Sequence, residues 1–316
     1  MTLEVAGQGV VGVAFETTQN TYLAPTDFIP LRSETLELME DKYYRLNIRG
    51  TADRTGALQG YKHVEGDVEF EVTADQLLRW MYASRVSIVK TGAGPWTYTF
   101  APVGVAKTST GVGATVRKTL SVSCERSGVV FGYVGCSVVQ HQFTVDGGVL
   151  IGTFSVIGSD EASQADLVPT WPTSTPYAPG KVLLEFPDAS PRPDVDTFNI
   201  TINDNGSAAN RLNGQRGAAY ITWGEREVTA TYDMDFDNAT DYNVFKNQTI
   251  QVLEILASNN VTNDEVSLKL NNCVVDTYPV SLSGFGDILR ASINMHSIAL
   301  VTDAYTMVVK SAVSIT

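Results

Sequence analysis

The sequence predicts a mainly β fold, and three observations support this prediction. Segments that alternate apolar and polar residues, or that are rich in β-branched residues, recur along the chain, among them "TLSVSC", "DTFNITIND", "EVTATYDMDF" and "EVSLKL". Glycine-bearing turns such as "DGG" and "DNG" separate these segments. Helical patterns are few, so helices are expected to form only a small part of the fold.

The N-terminal segment "GQGVVG" has the glycine spacing of a dinucleotide-binding turn, with Gly7, Gly9 and Gly12. Such a turn must lead into a helix whose N-terminus holds the pyrophosphate. The following "VAFETTQNTYLAP" is rich in β-branched residues and ends in proline, so it offers no helix. We therefore interpret this segment as an N-terminal strand or arm, and no cofactor is predicted.

Two short helices are predicted, over 74–83 and 239–247. In the first, Thr73 or Asp75 can cap the N-terminus, and Leu77, Leu78 and Met81 form an apolar stripe. Each helix closely follows a strand that alternates acidic and apolar residues, at 67–72 and 231–237. The chain therefore contains the same strand and helix pattern twice.

A proline-rich stretch, "ADLVPTWPTSTPYAPGK", lies between the two copies of this pattern and is predicted to be a linker. The predicted organisation is a β domain with an N-terminal arm at 1–160, a linker at 161–181 and a second β domain at 182–316. A cysteine-bearing hairpin in each half supports a duplication, because the segment from Gly135 aligns without gaps on the segment from Asn272. The first half then has 29 additional residues, expected to form a hairpin or loop.

Each half also has a long polar stretch, rich in glycine and arginine, before its acidic strand. These stretches are Arg45 to Gly66 and Asn203 to Gly224. Loops of this length in compact domains are usually functional or flexible, so both are candidate interaction loops.

The charge of the chain argues against binding along the phosphate backbone of nucleic acid. The 316 residues carry a formal net charge of −13, most of it in the second half. Binding along a phosphate backbone needs clustered Lys and Arg. No signal peptide or membrane-spanning segment is predicted, and the three cysteines lack metal-site spacing. Reduced thiols and folding in a cytoplasm are therefore expected.

The two acidic strands place carboxylates in rows. Asp67, Glu69 and Glu71 alternate with apolar residues in "GDVEFEV", and Asp233, Asp235 and Asp237 do so in "TYDMDFD". Such a row could be a metal site, a catalytic acid cluster or a charged wall. A calcium loop starting at Asp233 lacks the glycine at its sixth position and the glutamate at its twelfth.

Catalysis has little support in the sequence. His63, His141 and His296 are isolated, and no nucleophile, zinc-protease or phosphate-loop motif occurs. Paired carboxylates for glycoside hydrolysis need no local motif and remain open. The expectation is a protein that is not an enzyme.

The N-terminal third resembles the start of major tail tube proteins of long-tailed (siphovirus-type) bacteriophages. The resemblance lies in "VAFETTQNTYLAPTDFIPLRSETLELMED", the Arg/Gly-rich stretch after it, and the strand and helix in "GDVEFEVTADQLLRWMYAS". It is good over 13–85, looser through the hairpin at 135–158, and reaches the second half mainly through the internal repeat.

The resemblance implies a tail-tube fold, which is a β-sandwich or partial barrel with a flanking α-helix, duplicated in this chain. It implies rings that stack into a hollow tube for DNA ejection, with three chains per ring in pseudo-sixfold symmetry or, alternatively, six chains. The implied partners are other copies, the tape measure protein, the tail terminator, and baseplate or distal tail proteins. The protein would lie in the virion tail after assembly in the host cytoplasm, and no membrane is involved.

The resemblance also gives roles to charged residues. The acidic rows, Asp67, Glu69, Glu71, Asp233, Asp235 and Asp237, would face the lumen and repel the phosphates of DNA in transit, without specific binding. The candidate ring-stacking residues are Arg45, Arg49, Arg54, Lys62, Arg211 and Arg216. Alternatives remain: ordinary solvated sheet faces, another tail component such as a terminator, completion or baseplate hub protein, or a carbohydrate-binding β-sandwich.

Overall fold

The computed structural model describes residues 9–45, 56–103, 118–164, 166–178, 180–187, 189–236, 240–259, 264–281, 289–300 and 302–315. In these residues the fold is mainly β, as predicted, with helices α1 (Ala74–Tyr82) and α2 (Thr240–Lys246). No helix among the described residues is long and apolar enough to cross a bilayer.

The strands of the first half are β1 (Val10–Phe15), β2 (Asp27–Phe28), β3 (Ser33–Glu34), β4 (Glu37–Tyr44), β5 (Ala57–Glu71), β6 (Val86–Thr91), β7 (Trp96–Pro102), β8 (Leu120–Arg126), β9 (Val129–Asp146), β10 (Val149–Gly158) and β11 (Asp160–Ser163). Those of the second half are β12 (Val182–Glu185), β13 (Val195–Asn203), β14 (Gly206–Ala209), β15 (Tyr220–Trp223), β16 (Glu227–Asp235), β17 (Gln251–Ser258), β18 (Glu265–Thr277), β19 (Val280–Ser281), β20 (Arg290–Ser297) and β21 (Tyr305–Ser311).

Eight strands form one continuous antiparallel sheet that runs through both halves of the chain. Its order is β4, β5, β10, β9, β13, β16, β20 and β18, and we call it the long sheet. The halves join where β13 pairs with β9, over Asn199–Asn203 and Gln140–Thr144. Neighbouring strands alternate in direction throughout, so each half contributes four strands to a single surface.

The longest strand of each half belongs to two sheets. Residues 129–136 of β9 pair with β8, and β11 adds to the opposite side, whereas residues 137–146 pair with β10 in the long sheet. In the second half, β18 begins between β17 and β21 and ends beside β20. This change of partner places a second sheet against the long sheet in each half, and apolar side chains from both halves belong to one buried core.

The two halves share one pairing pattern. The order β5, β10, β9, β8 and β1 in the first half corresponds to β16, β20, β18, β17 and β12 in the second. Asp67 lies opposite Ser155, and Asp233 lies opposite Ser292. These pairs match the alignment of the acidic strands and of the second hairpin strand that the sequence suggested.

For the first hairpin strand, the ungapped alignment is wrong by two residues. His141 lies opposite Phe154, and the equivalent position opposite Ala291 is Val280, which the alignment had matched to Phe143. A shift of two keeps every side chain on the same face of the strand, so the hydrophobic pattern does not reveal it. The bulges differ in position, after Val138 in one half and after Val275 in the other, but each half has one in this strand pair. The shift arises because the chain from Val280 to Ala291 is two residues shorter than the chain from His141 to Phe154.

The additional stretch of the first half forms a hairpin in its first part, and its residues 104–117 lie outside the described residues. Strands β6 and β7 pair with each other, and β7 also pairs with β21 of the second half, from Trp96 opposite Ser311 to Phe100 opposite Met307. Among the described residues, strands of the two halves therefore pair with each other at two places, β9 with β13 and β7 with β21. The domain boundaries predicted above stay a prediction, since the sheets continue across them.

The two long polar stretches contain strands, which corrects their interpretation as loops. Strand β5 already begins at Ala57 and pairs with β4, and β14 pairs with β15 within Asn203 to Gly224. Polar residues at the ends of a hairpin meet solvent on both faces, so the alternation that marks a half-buried strand is absent there. The proline-rich stretch at 165–181 has no helix or strand in its described residues, although Tyr177 is buried and donates a hydrogen bond to Asp264 Oδ1 at 2.6 Å. Residues 161–163 of the predicted linker belong to β11.

Both predicted helices are present, but they pack differently. Thr73 caps α1 by accepting from the Gln76 N–H, and Leu77, Leu78 and Met81 are buried in the core as the stripe predicted. Helix α2 buries none of its described residues. It is held by a 2.8 Å ion pair between Asp241 and Arg192 and by its partly buried Val244 and Phe245, with the Phe245 ring stacked on Tyr278 at 6.4 Å between centroids.

Candidate functional site

The predicted acidic residues lie on one face of the long sheet. Asp67, Glu69 and Glu71 point outward from β5, while Val68 and Phe70 between them are buried. On β16, Asp233 and Asp235 point outward and Met234 is buried. Asp237 lies outside the described residues. We call the side of the long sheet that carries these five carboxylates the acidic face.

Strand pairing shows that both acidic strands share this face. A single row of opposed residues crosses six strands, namely Glu69, Thr153, Gln142, Thr201, Thr229 and His296. Side chains in one such row lie on the same side of the sheet. Because three strands separate β5 from β16, the two acidic rows lie about 19 Å apart.

Neutral polar side chains fill the space between the carboxylates. Asp67 lies opposite Ser155, and Asp233 lies opposite Ser292 and next to Thr197. Like charges directly opposite each other destabilise a sheet, and this arrangement avoids that contact. The face is therefore hydrophilic and negative around the two acidic rows, whereas next to Asp67 on β5 it has Glu65 directly opposite Glu37.

Two arginines neutralise part of the charge on this face. Arg32 Nε lies 3.4 Å from Glu69 Oε1, and its Nη2 lies 2.8 Å from Asp146 Oδ2. Arg290 contacts Asp196 at 2.8 Å and Asp235 at 3.8 Å. Asp67, Glu71 and Asp233 are exposed, so the acidic face stays negative after Arg32 and Arg290 have neutralised part of its charge.

A histidine with two carboxylate neighbours lies at the β18 end of the acidic face. His296 Nδ1 contacts Asp276, and its Nε2 lies 3.5 Å from Glu227 Oε1. The hydrogen bond to Asp276 and the nearby negative charges raise the pKa of His296 above its usual value. This pairing was not predicted, because the three residues come from different strands.

We expect the stability of the chain to fall as the pH rises through the folded-state pKa of His296. The folded protein binds the proton more tightly than the unfolded chain, so this contribution is fully present below about pH 6.5 and disappears above the raised pKa. Denaturant unfolding of the wild type and His296→Gln between pH 5.5 and 8.5 measures the difference. Equal pH dependence in the two proteins would contradict the expectation.

The structure agrees with a strand rather than a calcium loop at Asp233. The segment Glu227–Asp235 is extended and paired on both sides, so its carboxylates do not converge. Among the described residues, no group of three or more His, Cys, Asp or Glu side chains is placed to hold a metal ion. Cys124, Cys136 and Cys273 are buried free thiols, and burial raises the pKa of each.

The predicted stacking residues fall into two groups. Lys62 and Arg216 are engaged within the chain, since Lys62 Nζ lies 2.5 Å from Asp160 Oδ1 and Arg216 donates to the Gly60 carbonyl at 2.9 Å and contacts Glu40. The Arg216 contacts fix the β14–β15 segment of the second half onto the β4–β5 hairpin of the first, whereas the Lys62 ion pair links β5 to β11 within the first half.

Of the remaining candidates, Arg45 and Arg211 lie nearer the ends of the two hairpins. Arg45 is exposed at the base of the β4–β5 turn, and Arg211 stacks on the ring of Tyr220 at 4.9 Å. Arg49 and Arg54 are outside the described residues.

Sequence reasoning missed a buried ionic cluster at the junction of the halves. Asp204 is fully buried, with its Oδ1 2.6 Å from Arg226 Nε and 3.6 Å from Arg85 Nη1. Arg226 also donates to the Arg85 carbonyl at 2.8 Å, and Arg85 donates to the Gly224 carbonyl at 3.0 Å. No local motif signals this cluster, because Arg85 follows α1 while the others flank β14 and β15.

The comparisons with known proteins agree with the mainly β fold. The family model described as "Phage tail tube protein" matches residues 7–293, which includes both halves and nearly the whole chain. No curated protein matches the sequence at a significant level. With a matched region that spans both acidic strands and the sheet that joins them, the chain belongs to the phage tail tube protein family.

Proposed function

We propose that this protein self-assembles into stacked rings that form the hollow tube of a phage tail, through which DNA is ejected into the host. Membership of the tail tube family supports a structural role in the virion tail. The observation that carries the finer proposal is the long sheet, whose acidic face is continuous across both halves and whose ends have open strand edges. Among the described residues, neither the outer edge of β4 nor the outer edge of the chain after Cys273 is paired with another strand.

The repeated pairing pattern supports rings of three chains. We take the two halves as tube folds that arose by duplication, at 1–160 and 182–316, joined by a linker at 161–181. Three chains then supply the six tube folds of one ring. Eight strands per chain then give a closed barrel of about 24 strands, and barrels of 16 to 18 strands already enclose an aqueous channel. A ring of six chains is the alternative.

The acidic face is assigned to the lumen. Asp67, Glu71 and Asp233 would repel phosphates, and the neutral Thr, Ser, Asn and Gln side chains between them offer hydrogen bonds without positive charge. DNA would pass without specific binding. This role needs no catalysis or cofactor, so we propose a structural protein that is not an enzyme.

The ends and contents of the tube involve other proteins. We propose that the lumen holds a tape measure protein during assembly, that a tail terminator closes one end, and that baseplate or distal tail proteins form the other. Arg45, Arg49, Arg54 and Arg211 are the stacking candidates that we retain, and Lys62 and Arg216 act by holding the hairpins in place. Assembly would take place in the cytoplasm of the bacterial host, without a membrane.

Electron microscopy of the purified protein tests the proposal. At high protein concentration, or in lysates of infected cells, we expect hollow tubes whose rings show three repeats with pseudo-sixfold symmetry. Rings with six chains, measured by mass, would favour the alternative ring. A protein that stays monomeric at every concentration and in the lysate would contradict the proposal.

A further inference from the structure

We propose that the ring closes where Val280 of one copy pairs with Glu40 of a second copy. The two strands would align as β9 and β13 do within the chain, where His141 lies opposite Ile202. This inference rests on the proposed assembly into rings, and it specifies which strand edges meet and how they align. Val280 lies in β19, just after β18 at one end of the long sheet, and Glu40 lies in β4 at the other end.

The template is the junction between the two halves. There β9 and β13 pair with Gln140 opposite Asn203 and His141 opposite Ile202. The Asp204 N–H donates to the Val139 carbonyl at 2.9 Å, so these two residues form a hydrogen-bonded pair. Bonded pairs alternate in antiparallel sheets, and His141 and Ile202 are therefore the next bonded pair.

At Val280 the second half has an open strand edge that is equivalent to the edge of β9 that pairs with β13. Ser155 lies opposite Gln140, and its equivalent Ser292 donates a backbone hydrogen bond to Pro279, so Pro279 takes the place of Gln140. The next residue, Val280, then takes the place of His141, as its position opposite Ala291 also shows.

At Glu40 the first half has an open strand edge that is equivalent to the edge of β13 that pairs with β9. Ile202 lies opposite Val228 on β16, and Val228 corresponds to Lys62 on β5 when Asp233 is matched with Asp67. Lys62 lies opposite Glu40, so Glu40 takes the place of Ile202.

The directions of the backbone groups provide an independent check. Because Pro279 is the residue bonded to β20, the N–H and carbonyl of Val280 point away from β20, toward the open edge. On the other side, the Lys62 N–H donates to the Arg216 carbonyl at 2.9 Å and so points away from β4. The peptide groups of Glu40 therefore point away from β5, and the two open edges present matching donors and acceptors.

The side chains leave these edges accessible in the single chain. Val280 is 41% exposed and Met39 on β4 is 37% exposed. Unpaired, exposed edges are a hazard for a protein that must stay soluble, and pairing with another copy removes both edges at once. Pro279 does not interrupt this pairing, since its missing N–H faces β20.

The junction between copies would lack the ionic cluster that joins the halves. Counting along the strand from the match of Ile202 with Glu40, Asp204 corresponds to Lys42, so no buried carboxylate is available there. The copies would thus be joined by backbone pairing alone at this position, whereas the halves of one chain are held by Arg85, Asp204 and Arg226 as well.

A cross-linking experiment tests the partner and the register. Pro279 and Asp41 would lie opposite each other in a non-bonded pair, where Cα atoms are about 4.5 Å apart and a disulfide can form. Full-length Asp41→Cys and Pro279→Cys chains are mixed and assembled, and then oxidised. We expect a covalent dimer only in the mixture, and not with either variant alone. The matched control replaces Pro279→Cys with Thr277→Cys, two residues out of register, and should cross-link at least tenfold less.

A second variant tests the edge itself. Val280→Pro removes a donor that points outward, and we expect it to lower tube formation at least tenfold while the melting temperature of the single chain changes little. Pro279→Ala, whose N–H faces β20, should assemble like the wild type. Backbone amide exchange of the unmodified protein gives the same test without a substitution, because Glu40 and Val280 should become protected on assembly.

The outcomes separate this inference from the proposed function. Tubes that form without selective cross-linking in the mixture, or without protection of Glu40 and Val280, would overturn the register and leave the tube function intact. A protein that forms no tubes or rings in any preparation would overturn both.

Discussion

Replacing Asp204 with alanine is expected to lower the free energy of unfolding by about 3–5 kcal/mol, the largest single-residue effect that we predict. The substitution leaves Arg85, which is 4% exposed, without its buried carboxylate partner, and burial already lowers the pKa of Arg85. Taking a guanidinium out of water without a nearby negative charge is costly. Because the cluster links α1 of the first half to the β14–β15 segment of the second, the loss should weaken the junction between them.

Denaturant unfolding of the single chain measures this loss. The matched control is Asp233→Ala, an exposed aspartate on a strand of the same sheet, which should change the free energy of unfolding by about 0.5 kcal/mol or less. Asp204→Asn keeps the shape and removes the charge, and should fall between the two. If Asp204→Ala unfolds like Asp233→Ala, the cluster does not stabilise the junction.

Reversing the charge of the acidic face is expected to leave tubes intact and to slow DNA ejection roughly tenfold or more. The variant carries Asp67→Lys, Glu71→Lys and Asp233→Lys, which are exposed positions on strands β5 and β16. Lysines along the lumen would bind phosphates and release counterions, so DNA in transit would be retained. The tubes should stay intact because the buried side of both strands is unchanged, and the slower ejection would come from the lumen surface alone.

Ejection is measured as the rate of dye-labelled DNA release from virions built with the variant, after electron microscopy has confirmed normal tubes. The matched control is Asp67→Asn, Glu71→Gln and Asp233→Asn, which removes the negative charges without adding positive ones and should slow ejection less. Raising the salt concentration should restore the lysine variant more than the control, because screening weakens phosphate binding. Wild-type ejection from lysine-bearing tubes would show that this face does not line the lumen.

Several features were predictable because they depend on neighbours along the chain. The alternation in "GDVEFEV" indicates which side chains of β5 are buried, and the position of Thr73 before an apolar stripe indicates where α1 begins. The duplication could be suspected from the repeated strand and helix. The offset of the first hairpin strand could not be obtained this way, because a shift of two residues leaves the pattern of faces unchanged.

Other features could not be predicted from local patterns. Asp204 follows a strand and precedes a turn-like "NG", a context typical of an exposed residue, yet it is fully buried between two arginines from distant segments. The part of β5 from Ala57 to Gly66 falls within a stretch predicted to be a loop, because its residues do not alternate regularly between apolar and polar. Arg216 is a stacking candidate through the family resemblance, and its contacts with Gly60 and Glu40 arise only because the second half folds onto the first.

The sequence alone determined the class of the fold, the two acidic strands with their helices, and the negative charge that argues against a grip on DNA. These properties follow from periodicity and composition, which act between residues close in the chain. Only the tertiary structure decided that both acidic rows share one face, that β13 pairs with β9 to make a single sheet, and that its two end strands present matching open edges. Strand order and register between distant segments depend on backbone hydrogen bonds, which every residue can accept and every residue except proline can donate, so the side-chain sequence carries little record of them.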